Sequence, residues 1–191
     1  MVNIAIFASG NGSNFQSIVD SYKQNKLFVN KIILITNRKN CYASQRAIDN
    51  NIKNYNFLLS NYKDKREYEE SILKVLQKEN ISYIFLAGYM TMITDILINK
   101  FKNKIINIHP SLLPSFKGKD AVRDALNYKV YLTGFTIHYV NEEMDSGQII
   151  FQKEVKVYKN DNIDTLRLRI QEQEHIYYWK IINKIIKGEE V

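Results

Sequence analysis

Near the middle of the chain an amide and an imidazole stand two residues apart, in Ile106-Asn107-Ile108-His109-Pro110-Ser111-Leu112-Leu113-Pro114. Strand alternation sends Asn107 and His109 to one face at a strand's carboxyl end, and Ile106 and Ile108 to the other. Pro110 keeps His109 out of helical geometry, so the strand ends there without starting a helix. Both prolines of the chain fall in this segment, and Leu113-Pro114 is a candidate cis bond. Held side by side, the amide can donate to a developing oxyanion and the imidazole can move a proton near neutral pH. Such a histidine needs a carboxylate to hold its ring and favour its charged form. Asp145 is the candidate, in the polar connection Asn141-Glu142-Glu143-Met144-Asp145-Ser146-Gly147. Each residue alone also has a plainer reading, as an ordinary strand-end or turn residue.

A second segment suits an anion. Ser9-Gly10-Asn11-Gly12-Ser13-Asn14 lies between an apolar run and an amphipathic one. Its glycines permit positive φ and let the backbone approach a ligand. The helix that follows offers unpaired N–H groups and the positive end of its dipole, which suit a phosphate. Ser13 and Asn14 can cap that helix and reach the ligand. The dinucleotide pattern G-x-G-x-x-G would need glycine at position 15, where Phe15 stands, and no Gly-Lys-Ser/Thr follows for a nucleotide triphosphate loop. A monophosphate therefore fits better than a pyrophosphate. The same residues also make a plain tight turn from strand to helix.

The elements that would position these groups follow from the apolar pattern. Short apolar runs alternate with amphipathic stretches, which predicts an α/β chain with a mainly parallel sheet. Strands are expected at Val2 to Ala8, Lys31 to Thr36, Asn54 to Leu59, Ile81 to Ala87 and Lys104 to Ile108. Helices are expected from about Asn14, at Tyr42 to Asn50, Asp64 to Glu79, Met92 to Phe101 and Ala121 to Tyr128. Leu132 to Val140 and Gln148 to Val157 read as strands with no helix between them, an antiparallel addition to the sheet. Asp161 to Ile186 is a long closing helix, with Asp161 and Asp164 placed in its first turn. Parallel sheets of this kind bind ligands at their carboxyl ends, where Asn107 and His109 fall.

Composition narrows the classes. The chain has 191 residues, 45% apolar and 25% charged, as in a folded domain. No apolar run approaches the ~20 residues of a membrane helix, and the N-terminal run reads as a buried strand rather than a signal peptide. The single cysteine, Cys41, excludes an intramolecular disulfide and suits a reducing, cytoplasmic setting. A net charge of +7 favours anionic partners without naming them. No second His or Cys ligand lies near the candidate residues, so no metal is expected.

Together these segments resemble the phosphoribosylglycinamide formyltransferases, the folate-dependent transformylases of purine biosynthesis. The likeness runs in the same order from Asn3 to about His175. The Asn-Ile-His-Pro segment is shared by folate-dependent formyl transferases broadly, and the first loop narrows the likeness to the glycinamide ribonucleotide enzymes. The resemblance implies one formyltransferase domain over residues 1–191. Its fold would be Rossmann-like, with helices on both faces of the sheet. The implied reaction moves the formyl group of 10-formyltetrahydrofolate to the amine of glycinamide ribonucleotide. No metal, nucleic acid or membrane takes part, and the chain is a monomer or homodimer.

By the same resemblance Asn107, His109 and Asp145 are the catalytic triad. His109 is the proton donor, Asp145 orients it, and Asn107 binds the formyl oxygen. Gly12, Ser13 and Asn14 match the loop that holds the ribonucleotide phosphate. Gln171, Glu172, Gln173 and Glu174 match a segment that contacts the same substrate, with Glu174 the candidate to hold its amine. The folate side comes from Arg66, from Met90, Thr91, Met92 and Ile93, and from Asn141, Glu142, Glu143, Met144 and Asp145, beside Asn107. Arg66 could instead pair with Glu69 or Glu70 on a helix surface.

Thr91 departs from an arginine found in many relatives, and Lys119-Asp120-Ala121-Val122 departs from a His-rich version. His138 reads as a packed strand residue, His175 as helix surface or a cap on the pocket, and Tyr177, Tyr178 and Trp179 as packing. Two other readings stand beside this one. A formyltransferase for a different amine, such as the methionyl-tRNA enzymes, would carry a further C-terminal domain that 191 residues do not hold. A basic nucleic-acid-binding module would explain the charge but not the joint presence of Asn, His and Asp.

Overall fold

The computed structural model describes all 191 residues. The apolar runs pair as one seven-stranded sheet in the order β3-β2-β1-β4-β5-β6-β7. The strands are β1 (Asn3–Ala8), β2 (Lys31–Thr36), β3 (Lys53–Asn56), β4 (Ile81–Leu86), β5 (Ile105–His109), β6 (Leu132–Tyr139) and β7 (Ile149–Lys156). β1 to β5 are parallel. β6 and β7 add on antiparallel, as expected of two strands joined without a helix. The helices are α1 (Ser13–Lys23), α2 (Tyr42–Asp49), α3 (Lys65–Lys78), α4 (Asp95–Lys100), α5 (Ala121–Asn127) and α6 (Ile163–Lys187).

Alternation along β1 divides the core in two. Ile4, Ile6 and Ala8 face α1, α2 and α6, where they meet Phe15, Ile18, Ala43, Ile170 and Tyr178. Ala5 and Phe7 face α3 and α4, where they meet Tyr68, Ile72, Leu76 and Leu97. Both faces of the parallel strands are therefore covered, which is why those strands carry apolar residues at nearly every position. The sheet is α/β and mostly parallel, with an antiparallel C-terminal extension and helices on both faces, as the sequence led us to expect.

Several boundaries differ for local reasons. β3 starts and ends earlier than Asn54 to Leu59, because its partner residues on β2 run only from Ile33 to Thr36. A single 3₁₀ turn at Leu59–Asn61 follows it. The helix expected from Met92 starts at Asp95. The buried carboxylate of Glu69 accepts from the Thr94 N–H at 2.8 Å and its hydroxyl at 2.5 Å, which fixes the helix start there. The closing helix starts at Ile163, capped by Asn162 in a reciprocal box with Thr165. Asp164 lies in its first turn, but Asp161 lies outside it and holds Arg169 through two 2.7 Å bonds.

The strand order places the site. β1 leads outward to β2 and β3 on one side, while β4 to β7 continue on the other, so the order reverses between β1 and β4. Ligands of such sheets bind outside the carboxyl ends at that reversal. The connections after β1 and β4 are stitched together there. The Ser9 N–H donates to the Gly88 carbonyl at 3.1 Å, and the Met90 N–H donates to Ser9 Oγ at 2.8 Å.

Candidate active site

Asn107 and His109 end β5 at this carboxyl edge. Antiparallel register sets Asn107 opposite His138 of β6 and His109 opposite Thr136. Asp145 reaches them from the β6–β7 connection, where its backbone takes φ of 49°. Left-handed geometry is tolerated by aspartate and marks a position held by its surroundings. The preceding strand forces the turn: a Cβ on Gly147 would stand 1.7 Å from the Tyr139 carbonyl oxygen.

The four side chains form one cluster in which both histidines are buried. His109 Nδ1 lies 3.4 Å from Asp145 Oδ2. His138 Nε2 lies 3.7 Å from Asp145 Oδ1. Asp145 Oδ2 also accepts from the Gly118 N–H at 2.8 Å. His109 Nε2 faces the carbonyl of Phe116 at 2.8 Å. Phe116 itself takes φ of 54°, an unusual backbone for an aromatic residue, within the Pro110–Asp120 connection. Both ring nitrogens of His109 thus face oxygens, Nε2 within a hydrogen bond and Nδ1 more loosely.

His138, read from the sequence as packing, belongs to this cluster. Its Nδ1 meets the Tyr139 carbonyl at 2.9 Å, so Nδ1 carries the proton. Burial pushes its pKa below the ordinary value and keeps the ring neutral. Nε2 is therefore an acceptor, and it takes an N–H from Asn107 Nδ2 at 3.2 Å. That bond fixes the amide's orientation and leaves the second Nδ2–H of Asn107 free to donate. The signal in the sequence was the alternation of β6, which puts Thr136 and His138 on one face, but only the register shows what they face.

The Pro110–Asp120 connection is held from below by polar side chains of β6 and β7. Thr136 Oγ1 donates to the Ser111 carbonyl at 2.7 Å and accepts from the Leu113 N–H at 3.0 Å. Gln152 of β7 donates to the Leu113 carbonyl at 2.9 Å. The Leu113–Pro114 bond is cis.

Two strand spacings away, the first loop turns from β1 into α1, a distance of roughly 10 Å. Gly12 is the N-cap, with φ of 72° and ψ of 31°. The first helical bond runs from the Gln16 N–H to the Gly12 carbonyl at 2.9 Å. The N–H groups of Asn11, Gly12, Ser13, Asn14 and Phe15 donate to no backbone carbonyl. Successive free N–H groups of this kind form a concave seat for an anion. Neither Ser13 nor Asn14 caps the helix, as the sequence suggested they could, because both lie inside it. Asn14 instead donates through Nδ2 to Glu174 Oε2 at 2.7 Å, and its own Oδ1 is buried without a partner.

Glu174 is buried on α6, and burial pushes its carboxyl up to about 7, a rise that the Asn14 hydrogen bond partly offsets. Gln171, one helical turn earlier, is half-buried on the same face. Gln173 is half-buried and Glu172 is exposed. The residues named for the folate side are more dispersed. Met90, Met92 and Met144 are exposed, Ile93 is buried, and Thr91 Oγ1 accepts from Asn37 at 2.6 Å. Glu142 and Glu143 are exposed, and Asn141 accepts from Ser146 at 3.0 Å. Arg66 is not brought to the cluster: it pairs with Glu70 at 3.1 Å on the exposed face of α3.

A groove of about 540 Å³ runs between α1 and α6 from Ser13 towards Trp179. It adjoins the first loop but is not lined by the Asn107 cluster. No group of three or more His, Cys, Asp or Glu side chains converges as a metal site. No helix is long and apolar enough to cross a membrane.

Comparison with known proteins agrees with this fold. The formyl transferase family model matches residues 2–182. The phosphoribosylglycinamide formyltransferase of Bacillus subtilis (strain 168) is 39% identical over 186 residues, covering 97% of this chain and 95% of that protein. The trifunctional purine biosynthetic protein adenosine-3 of Gallus gallus is 35% identical over 187 residues, 98% of this chain but only 19% of that protein's length. The crystal structure of glycinamide ribonucleotide transformylase 1 from Geobacillus kaustophilus matches with a TM-score of 0.94 at 39% identity, covering 97% of this chain and 98% of that one.

Proposed function

The chain belongs to the formyl transferase family, and from that premise we propose that it moves the formyl group of 10-formyltetrahydrofolate to the amine of 5'-phosphoribosylglycinamide, a step of purine biosynthesis. Residues 1–191 act as one formyltransferase domain. One observation carries the reading. Asn107, His109 and Asp145 meet in one cluster, and about two strand spacings away a loop offers five consecutive N–H groups without backbone acceptors. That separation suits a phosphorylated ribose lying between an anchored phosphate and a reacting amine.

The ribonucleotide phosphate sits on the N–H groups of Gly12, Ser13 and Asn14, at the positive end of α1. Glu174 and Gln171 line the substrate from α6. The exposed apolar side chains of Met90, Met92 and Met144 are adaptable surfaces for the folate ring, beside Thr91, Ile93 and the Asn141-to-Asp145 connection. The amine attacks the formyl carbon, and its carbonyl oxygen becomes an oxyanion. The free Nδ2–H of Asn107 and the protonated His109 ring stabilise that oxygen, and one such donor is worth ~10²–10³ in rate. As the C–N bond to folate N10 breaks, N10 must gain a proton and the attacking amine must lose one. His109 Nδ1, loosely placed at 3.4 Å from Asp145, is the nitrogen free to relay it, while the Phe116 carbonyl holds Nε2. Proton transfer of this kind contributes ~10²–10⁴. The co-substrate is 10-formyltetrahydrofolate, and both substrates are small anions, for which the +7 charge is suited. The cytoplasm keeps the lone Cys41 reduced.

The test is an assay of tetrahydrofolate release with both substrates present. Release that depends on the ribonucleotide is the expected result. Equal release when the ribonucleotide is omitted, or none at all, would reject the reading.

A further inference from the structure

The phosphate loop is shaped from outside itself, by the first turns of α2. The Ala43 N–H donates to the Gly10 carbonyl at 3.1 Å. A Cβ on Gly12 would stand 2.7 Å from the Ala43 Cβ, so α2 packs directly against the loop and only glycine fits there. One turn on, Arg46 grips the next residue. Its Nε donates to the Asn11 carbonyl at 2.9 Å and its Nη2 donates to Asn11 Oδ1 at 3.1 Å. Its Nη1 donates to Gln16 Oε1 of α1 at 3.3 Å. The guanidinium also lies 4.6 Å from the ring centroid of Tyr42.

These bonds have a directional consequence. A trans peptide is planar, and its C=O and N–H point opposite ways. Ala43 draws the Gly10 carbonyl towards α2, so the Asn11 N–H points away from α2. Arg46 draws the Asn11 carbonyl towards α2, so the Gly12 N–H points away as well. Two consecutive N–H groups are thus turned to the side opposite α2, where they lead into the free N–H groups of Ser13, Asn14 and Phe15. The guanidinium has five N–H donors and uses three here, which leaves one on each Nη and a full positive charge beside the seat. Arg46 and Ser13 share the groove that adjoins the loop.

We propose that Arg46 is a positioning residue for phosphomonoester recognition: by holding Asn11 it aims the loop's N–H groups at the phosphate of the acceptor substrate. The proposal rests on the assignment of that loop to the ribonucleotide phosphate. It needs the three-way fork of a guanidinium, since a lysine ammonium cannot keep Nε, Nη1 and Nη2 directions together.

The experiment uses Arg46→Ala and Arg46→Lys in the full chain, with two readouts. In steady-state kinetics both variants should raise KM for the ribonucleotide ~10–100-fold, the scale of losing charge-assisted hydrogen bonds. KM for the folate and kcat at saturation should stay within about threefold, because the Asn107 cluster is untouched. A merely structural role would instead lower kcat and disturb both KM values. In amide NMR, inorganic phosphate should shift the Gly12 to Phe15 N–H signals of the wild-type protein and leave them unmoved, at the same concentration, in both variants. Wild-type turnover with an unchanged ribonucleotide KM in both variants would overturn the role of Arg46. Absence of wild-type turnover would overturn the function instead, and the phosphate titration would then decide on Arg46 alone.

Discussion

Two buried glutamates sit at opposite ends of the sheet, and their surroundings push them in opposite directions. Glu79 closes α3 at the amino end. Its carboxylate accepts from Lys31 Nζ at 2.7 Å, from Lys53 Nζ at 2.6 Å and from the Tyr55 hydroxyl. Those donors, Lys31 first, hold its pKa down to about 2. Glu174 lies at the carboxyl end with one donor, Asn14, and burial pushes it up to about 7. Both carboxylate oxygens of Glu79 are filled, as expected of a group whose only task is to hold strands together. The carboxyl end is short of partners. Asn14 Oδ1 and His175 Nε2 are buried and unpaired, and Asp145 stands 3.4 and 3.7 Å from its two histidines. Unfilled hydrogen-bonding capacity marks where a ligand belongs.

The comparison breaks if residues at the two ends behave alike. The largest contrast is in turnover. Asn107→Ala should lower kcat by ~10²–10³, the loss of one oxyanion donor, with KM for the ribonucleotide little changed. Steady-state kinetics on the purified variant check this, and a kcat within threefold of wild type would remove Asn107 from the chemistry.

The second contrast is in stability against pH. Glu174 holds its proton more tightly folded, at about 7, than unfolded, at an ordinary 4.5. Between those values the unfolded chain binds fewer protons, so stability falls as pH rises from about 4.5 to 7. Glu174→Gln should flatten that fall, melt higher than wild type at pH 8, and raise the ribonucleotide KM. A melting curve series from pH 4 to pH 8 that is unchanged by the variant would contradict the burial account.

Glu79 has the opposite sign. Its folded pKa is depressed, so its contribution is complete above the ordinary 4.5 and is lost as pH falls through about 2. Glu79→Gln should lower the melting temperature at pH 7 by a few degrees, a modest figure because Lys31 and Lys53 are partly exposed to solvent. The difference should shrink towards pH 2, with kcat unchanged. A loss of turnover in a stably folded Glu79→Gln variant would undo the division between the two ends.

Much of this was legible in the residues. The strand alternation and Pro110 placed Asn107 and His109 side by side, because those are local consequences of backbone geometry. The glycines of the first loop announced a helix start open to an anion for the same reason. What escaped was long-range. Asn14 looks like a cap in the sequence, but Glu174, 160 residues away, claims its amide. His138 looks like strand packing until the β5–β6 register sets it against Asn107. The Phe116 carbonyl that holds His109 comes from a connection with no periodicity to read. The start of α4 at Asp95 depends on Glu69 of a different helix. Each miss is a contact between elements whose separate identities were correct.

The most direct test of the central claim is His109→Ala, measured twice on one preparation: turnover with both substrates, and ribonucleotide affinity by calorimetry. The expected result is a fall in kcat of at least ~10³, since an oxyanion donor and a proton relay are lost together, while affinity stays within a few-fold because the phosphate loop is intact. A variant that turns over like wild type, or one that loses ribonucleotide binding and turnover in equal measure, would contradict it.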